Sequence, residues 1–214
     1  ITVTPTFAGC TGTPRTFTIT VNPTATVNAI ANIEVCNNSI VPTTAFSSPT
    51  TGATFAWTNN NTAIGLAASG SGNLPQFTAT NTTANPITAT ITVTPTFAGC
   101  TGTARMFTIK VYAPVVPGTI TGNPFVCTGM IPLPLTGTAS SGGSSQSNLK
   151  YQWQSKVGSG GTWTNITGAT AQNYTPTAPL TGDTYFRRVT TDNYCSTFTH
   201  NSNEFQIKVV AGAT

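Results

Sequence analysis

Charge is what this 214-residue chain has least of. It carries eight lysines and arginines, four acids and one histidine, so charged residues make up 6% against about a quarter in an average globular protein. The four acids are Glu34, Asp183, Asp192 and Glu204. They are too few and too scattered to share the several carboxylates that a calcium site needs. The first half offers Glu34 alone and no histidine, so it cannot supply a general acid and base pair. His200 follows Cys195 by five residues and invites comparison with a Cys–His nucleophile. It is expected in a polar loop, and Cys195 is expected to be engaged elsewhere. No GxSxG, phosphate-binding loop or dinucleotide fingerprint occurs. The sequence therefore reads as a non-enzyme without metal or cofactor.

The formal charge of +4 is spread along the chain. A nucleic-acid surface would cluster its basic residues. The adjacent pair Arg187-Arg188 is expected on a solvated strand face, so no nucleic-acid partner is read. No apolar run of about 18 residues exists, so no membrane-spanning helix is expected. No signal peptide is visible. The chain opens on Ile1 in mid-strand and is expected to be a fragment of something longer.

Threonine dominates what is present, at 47 residues, with 20 glycines, 15 prolines and 38% hydrophobic residues. Threonine is β-branched and favours strands, while Gly and Pro interrupt any helix. The fold class is all-β. The clearest feature is an internal repeat: ITVTPTFAGCTGT at 1–13 recurs unchanged at 91–103. In both copies apolar residues alternate with threonine around a Gly-containing turn, the pattern of a hairpin with one buried face. Residues 91–112 close a module spanning 23–112, and residues 1–22 are the closing hairpin of a preceding, truncated module. Such a hairpin is marginal alone, so it is expected to pack on something. Filling the equivalent slot in another copy would give self-association by strand exchange. Residues 113–117 (APVVP) read as a stiff linker, and 118–214 as a second module of about seven strands, an immunoglobulin-like sandwich. The Gly/Ser-rich stretch 140–147 reads as a flexible loop.

Five cysteines follow the module pattern. Cys36 and Cys127 lie near the module starts, Cys100 and Cys195 near the ends. The expected bonds are Cys36–Cys100 and Cys127–Cys195, each closing a long loop worth about 4 kcal/mol in the chain-entropy account. Cys10 corresponds to Cys100 and is expected to be unpaired. Zinc is a poorer reading, since no CxxC occurs. Disulfides imply an oxidising compartment. Among the tryptophans, Trp57 and Trp153 alternate with apolar neighbours and are expected in cores. Trp163, in GGTWTNI after a glycine loop, is the candidate ligand platform.

With EVCNN, TFAWTNN and TATITVTPTFAGCTGTARMFTIKV, residues 23–112 resemble a PKD-like repeat of Bacteroidota surface proteins. With FVCTG, KYQWQ, TWTNITGAT and TYFRRVTTDNYC, residues 118–211 resemble the immunoglobulin-like module that accompanies such repeats. The resemblance implies a large bacterial cell-surface adhesin exported by type IX secretion, similar to gliding adhesins, in which this segment serves as a rigid spacer or stalk. It implies neighbouring modules as partners, and surface glycans or proteins as candidate ligands. One departure is the absence of the junction carboxylates by which cadherin-type modules clamp calcium.

Overall fold

The computed structural model describes residues 1–195 and 199–212. Among these, regular structure is strand apart from single 3-10 turns at Thr62–Ile64 and Gln146–Asn148, so the fold is all-β. Among the described residues no helix is long and apolar enough to cross a membrane.

The first sandwich contains β1 (Ile33–Val35), β2 (Ile40–Val41), β3 (Thr54–Asn59), β4 (Ser69–Ser71), β5 (Phe77–Thr78), β6 (Ile87–Phe97) and β7 (Arg105–Val111). Its main sheet runs β1-β7-β6-β3-β4. The pairs are antiparallel except the first: β1 lies parallel to β7, Val35 opposite Val111. The short β2–β5 ladder forms the opposing layer. Alternation in β6 turns Ala89, Ile91 and Val93 inward and leaves the threonines between them half-exposed. They meet Trp57, Phe107, Ile109 and Val111 from the same sheet and Val41 and Leu74 from across the core. Each large apolar side chain buried this way stabilises the fold by roughly 1.5–3 kcal/mol. Gly70 is required beside Trp57, because a Cβ there would approach the indole to 2.3 Å.

The second sandwich contains β8 (Ala113–Val116), β9 (Ile120–Thr121), β10 (Phe125–Cys127), β11 (Thr136–Gly137), β12 (Ser141–Gly143), β13 (Leu149–Val157), β14 (Thr164–Asn165), β15 (Thr184–Asp192), β16 (Thr199–Asn201) and β17 (Phe205–Val210). The main sheet runs β10-β17-β15-β13-β14. Here too the first strand is parallel to the last, Val126 opposite Val209. Trp153, Phe186 and Ile207 face Ile120 and Leu135 in the core, and the Trp153 indole donates to the Ala171 carbonyl at 2.9 Å.

The structure departs from three expectations. Within 113–117, expected as a stiff linker, Ala113–Val116 form β8, paired with β12, with Ala113 and Val115 buried. The 140–147 stretch that supplies β12 is correspondingly ordered. Ser140 is buried and accepts from the Gly118 amide at 3.1 Å. Glycine is needed at Gly142, where φ is +74° and a Cβ would lie 2.1 Å from the Pro114 carbonyl. The third correction concerns Arg188, which is fully buried. Strand alternation points it inward, where its guanidinium donates to the carbonyls of Gln172 and Thr138 and lies 4.0 Å from the Tyr151 ring centre. Burial lowers its pKa.

Residues 1–22 form a hairpin in the same register as its repeat, Val3 opposite Arg15 and Phe7 opposite Cys10, as Val93 faces Arg105 and Phe97 faces Cys100. Its packing differs. Ile1, Val3, Phe17, Ile19 and Val21 are exposed, whereas their counterparts Ile91, Val93, Phe107, Ile109 and Val111 are buried in the first core.

Candidate functional site: the junction of the two sandwiches

The parallel pairing of β1 with β7 carries the chain after β1 to the end of the first sandwich where β7 leaves for β8. Cys36 sits there, with the Tyr112 amide donating to the Val35 carbonyl at 2.9 Å. The turn after β15 brings Cys195 to the same place. The structure joins Cys36 to Cys195, with a Cα–Cα distance of 5.7 Å across 159 residues of sequence. The disulfide thus bridges the two sandwiches.

This replaces both expected pairings. Cys100 lies in the β6–β7 turn, so the length of β7 separates it from Cys36. Seven residues of strand span roughly 20 Å, while a disulfide needs Cα atoms within about 7 Å. The length of β17 separates Cys127 from Cys195 in the same way. Cys100 and Cys127 are free and exposed, as is Cys10.

Asp192 shapes the turn that presents Cys195. Its carboxylate is fully buried and accepts from the backbone amides of Tyr194 at 2.9 Å and Cys195 at 3.2 Å. It also accepts the Ser144 amide and, at 2.7 Å, the Ser144 hydroxyl. Burial pushes the Asp192 pKa up, but these hydrogen bonds outweigh it and the net direction is down. The charged form therefore fixes the turn.

Beside the disulfide, Tyr112 and Tyr194 pack edge to face with ring centres 5.2 Å apart. The Tyr194 hydroxyl donates to the Glu34 carbonyl at 3.4 Å, and the Tyr112 hydroxyl donates to the Glu34 carboxylate. That hydrogen bond, then burial, pushes the Tyr112 phenol up to about 12. Lys110 closes the group, 4.0 Å from the Glu34 carboxylate and 4.6 Å from the Tyr112 ring centre. Pro114, Val115 and His200 line a crevice at the disulfide. His200 is on β16, not in a loop, and the Cys195 sulfur next to it is bonded. Chemically the junction is a covalent and aromatic clamp.

Trp163 lies away from this junction. Its ring is half-buried, with Arg187 at 4.3 Å and Lys156 at 4.6 Å from the ring centre. Glu34, Tyr112, Asp192 and Tyr194 were not singled out from sequence as junction residues, and the expected absence of carboxylates there is corrected: Glu34 and Asp192 both lie at the junction, each engaged by hydrogen bonds. The readable signal was the pair of similar strands FTIKVYA and FQIKVVA, which aligns the two sandwich ends.

A sequence family described as "Domain of unknown function (DUF8696)" matches residues 116–211. No curated protein matches the chain. Among solved structures the chain is similar to domains A168–A170 of titin, at 17% identity and a TM-score of 0.46, covering 97% of this chain and 74% of that one. It is similar to cadherin domains 3–6 of protocadherin gamma B2, at 12% identity and a TM-score of 0.41, covering 86% and 47%. It is also similar to the SGBP-B of the Bacteroides ovatus mixed-linkage glucan utilization locus, at 14% identity and a TM-score of 0.29, covering 88% and 48%. The chain spans about half the length of the last two.

Proposed function

We propose that the chain is a structural, adhesive-type segment of a repetitive extracellular surface protein, acting as a rigid spacer between neighbouring modules rather than as an enzyme. The observation that carries this reading is the Cys36–Cys195 disulfide between the sandwiches. With β8 paired into the second sandwich immediately after β7, the two units are held by one covalent and one continuous backbone link. A bond of this kind persists in oxidising surroundings, which supports an exported, cell-surface location. The resemblance of both modules to Bacteroidota surface repeats supports placement in a large adhesin of the type IX secretion class. Surface glycans or proteins would then be contacted elsewhere in such an array. The cations over Trp163 leave that ring less suited to a sugar platform.

Small-angle scattering of the oxidised chain and of the Cys36→Ser/Cys195→Ser variant tests the spacer role. The oxidised chain should give a narrower distribution of overall dimensions. Equal breadth in both would remove the reading.

The exposed 1–22 hairpin favours a second reading, self-association by strand exchange into a fibre. The same residues that bury a core at 91–111 lie open at 1–21, so they could complete a neighbour's sandwich. Light scattering across concentration decides it. Growth in mass that disappears on deleting residues 1–22 supports exchange, and growth that survives the deletion excludes it.

A further inference from the structure

We infer that Cys100 and Cys127 are the two open halves of a disulfide relay: Cys127 bonds the module that follows, and Cys100 the module that precedes, by the same link that joins Cys36 to Cys195. The inference rests on the spacer reading for the presence of further modules.

The register of the two sheets carries it. In the first sandwich Ala89 and Ile91 face Ile109 and Phe107; in the second, Thr184 and Phe186 face Ile207 and Phe205. The offset that takes Ala89 to Thr184 and Ile91 to Phe186 also takes Cys100 to Cys195. Both cysteines therefore occupy the third position after the end of the long strand, Phe97 in one case and Asp192 in the other.

At the other end of each sandwich the match is as close. Val35 lies opposite Val111 and Val126 opposite Val209. Cys36 thus corresponds to Cys127, and Tyr112 to Val210. The local backbone agrees as well. The Cys36 carbonyl accepts the Ser39 amide at 3.1 Å and the Cys127 carbonyl accepts the Met130 amide at 3.0 Å. The residue two after each cysteine is left-handed, Asn38 at φ 64° and Gly129 at φ 77°. Cys127 is thus presented by the same strand end and the same turn that present Cys36 to its partner. The entry turns do differ in support. Asp192 holds the Cys195 turn, whereas Cys100 is held by its pairing with Phe97 across Ala98-Gly99.

Cys127 therefore stands at the exit end of the second sandwich and Cys100 at the entry end of the first, both exposed. Cys10, in the identical turn of the 1–22 hairpin, is a third entry-end cysteine. Bond formation needs an oxidant, here a small-molecule disulfide such as oxidised glutathione. The two protein thiols lose two protons and two electrons and form one S–S bond. The oxidant's S–S bond breaks and takes up both, leaving two thiols.

The test joins residue 210 of one full chain directly to residue 23 of a second copy. This reproduces the connection after Val21-Asn22, since Val21, Val111 and Val209 are equivalent. Cys10, the first-copy Cys100 and the second-copy Cys127 are changed to Ser, so that the relay pair and the two Cys36–Cys195 pairs remain. After oxidation with glutathione disulfide, alkylation and digestion, mass spectrometry should find the first-copy Cys127 peptide bonded to the second-copy Cys100 peptide. Changing the remaining Cys127→Ser should make that Cys100 alkylatable again. If Cys127 and Cys100 are both alkylated while Cys36–Cys195 forms in each copy, the relay is wrong and the clamp stands. If Cys36 is bonded to anything other than Cys195, the clamp itself fails and the relay with it. Persistent protection of Cys100 after removal of Cys127 would also overturn the pairing.

Discussion

Asp192 accepts the backbone amide of Cys195, so the carboxylate that shapes the turn and the sulfur that crosses to the other sandwich are three residues apart in one structural unit. The remaining acceptor capacity of Asp192 is taken by Ser144 and Tyr194. Replacing Asp192 with Ala strands these donors in a buried site, and losing charged-group hydrogen bonds of this kind costs about 3 kcal/mol. Urea unfolding should show a lower midpoint for Asp192→Ala. It should also show slower formation of the Cys36–Cys195 bond on reoxidation.

Acid should act on the same residue. The folded-state pKa of Asp192 is lowered, so its contribution is present above the usual carboxylate value and is lost as pH falls below it. Wild type should lose urea resistance as pH falls below the usual carboxylate value. The Asp192→Asn variant should lose less over the same fall in pH.

Alkali should act on the other side of the clamp. Tyr112 is pushed from its ordinary value of 10.0 up to about 12 by the Glu34 hydrogen bond and by burial. A raised value means that the protonated form is favoured in the folded state. Its contribution is therefore full below about pH 10 and is lost as pH climbs toward about 12. Ultraviolet titration should show Tyr112 ionising late, alongside Tyr174, which burial also raises, and Glu34→Gln should lower the Tyr112 value while leaving Tyr174 unmoved.

Arg188 offers a test of the second core. Arg188→Ala removes both the guanidinium contact with the Tyr151 ring and the donors for two carbonyls. Such a loss should cost about 3 kcal/mol. Arg188→Met keeps the packing volume and should recover part of it, as read from thermal unfolding.

Composition and alternation revealed the all-β class, the hairpin within 91–112 and the buried positions of Trp57 and Trp153, because period-two burial is a local property. The repeat likewise placed Cys10 and Cys100 in equivalent turns. The disulfide partners were less legible. Pairing within a module looked forced by order along the chain, yet the parallel first-to-last pairing in each sheet puts the two cysteines of a module at opposite ends. That crossing of the sheet is a topological fact, and APVVP alone did not disclose it. Residues 113–116 read as a linker because prolines suggest stiffness, whereas their partner strand lies in a Gly/Ser stretch whose glycines make room for Pro114 and Val115. Arg188 looked solvated because charge outweighed alternation in the reading; inside, carbonyls and the Tyr151 ring compensate it.

Peptide mapping of the unreduced 1–214 chain, with free thiols blocked before digestion, is the most direct measurement. A clamp between sandwiches predicts the Cys36 peptide joined to the Cys195 peptide, with Cys10, Cys100 and Cys127 all blocked. Peptides joined as Cys36–Cys100 or Cys127–Cys195 would contradict it.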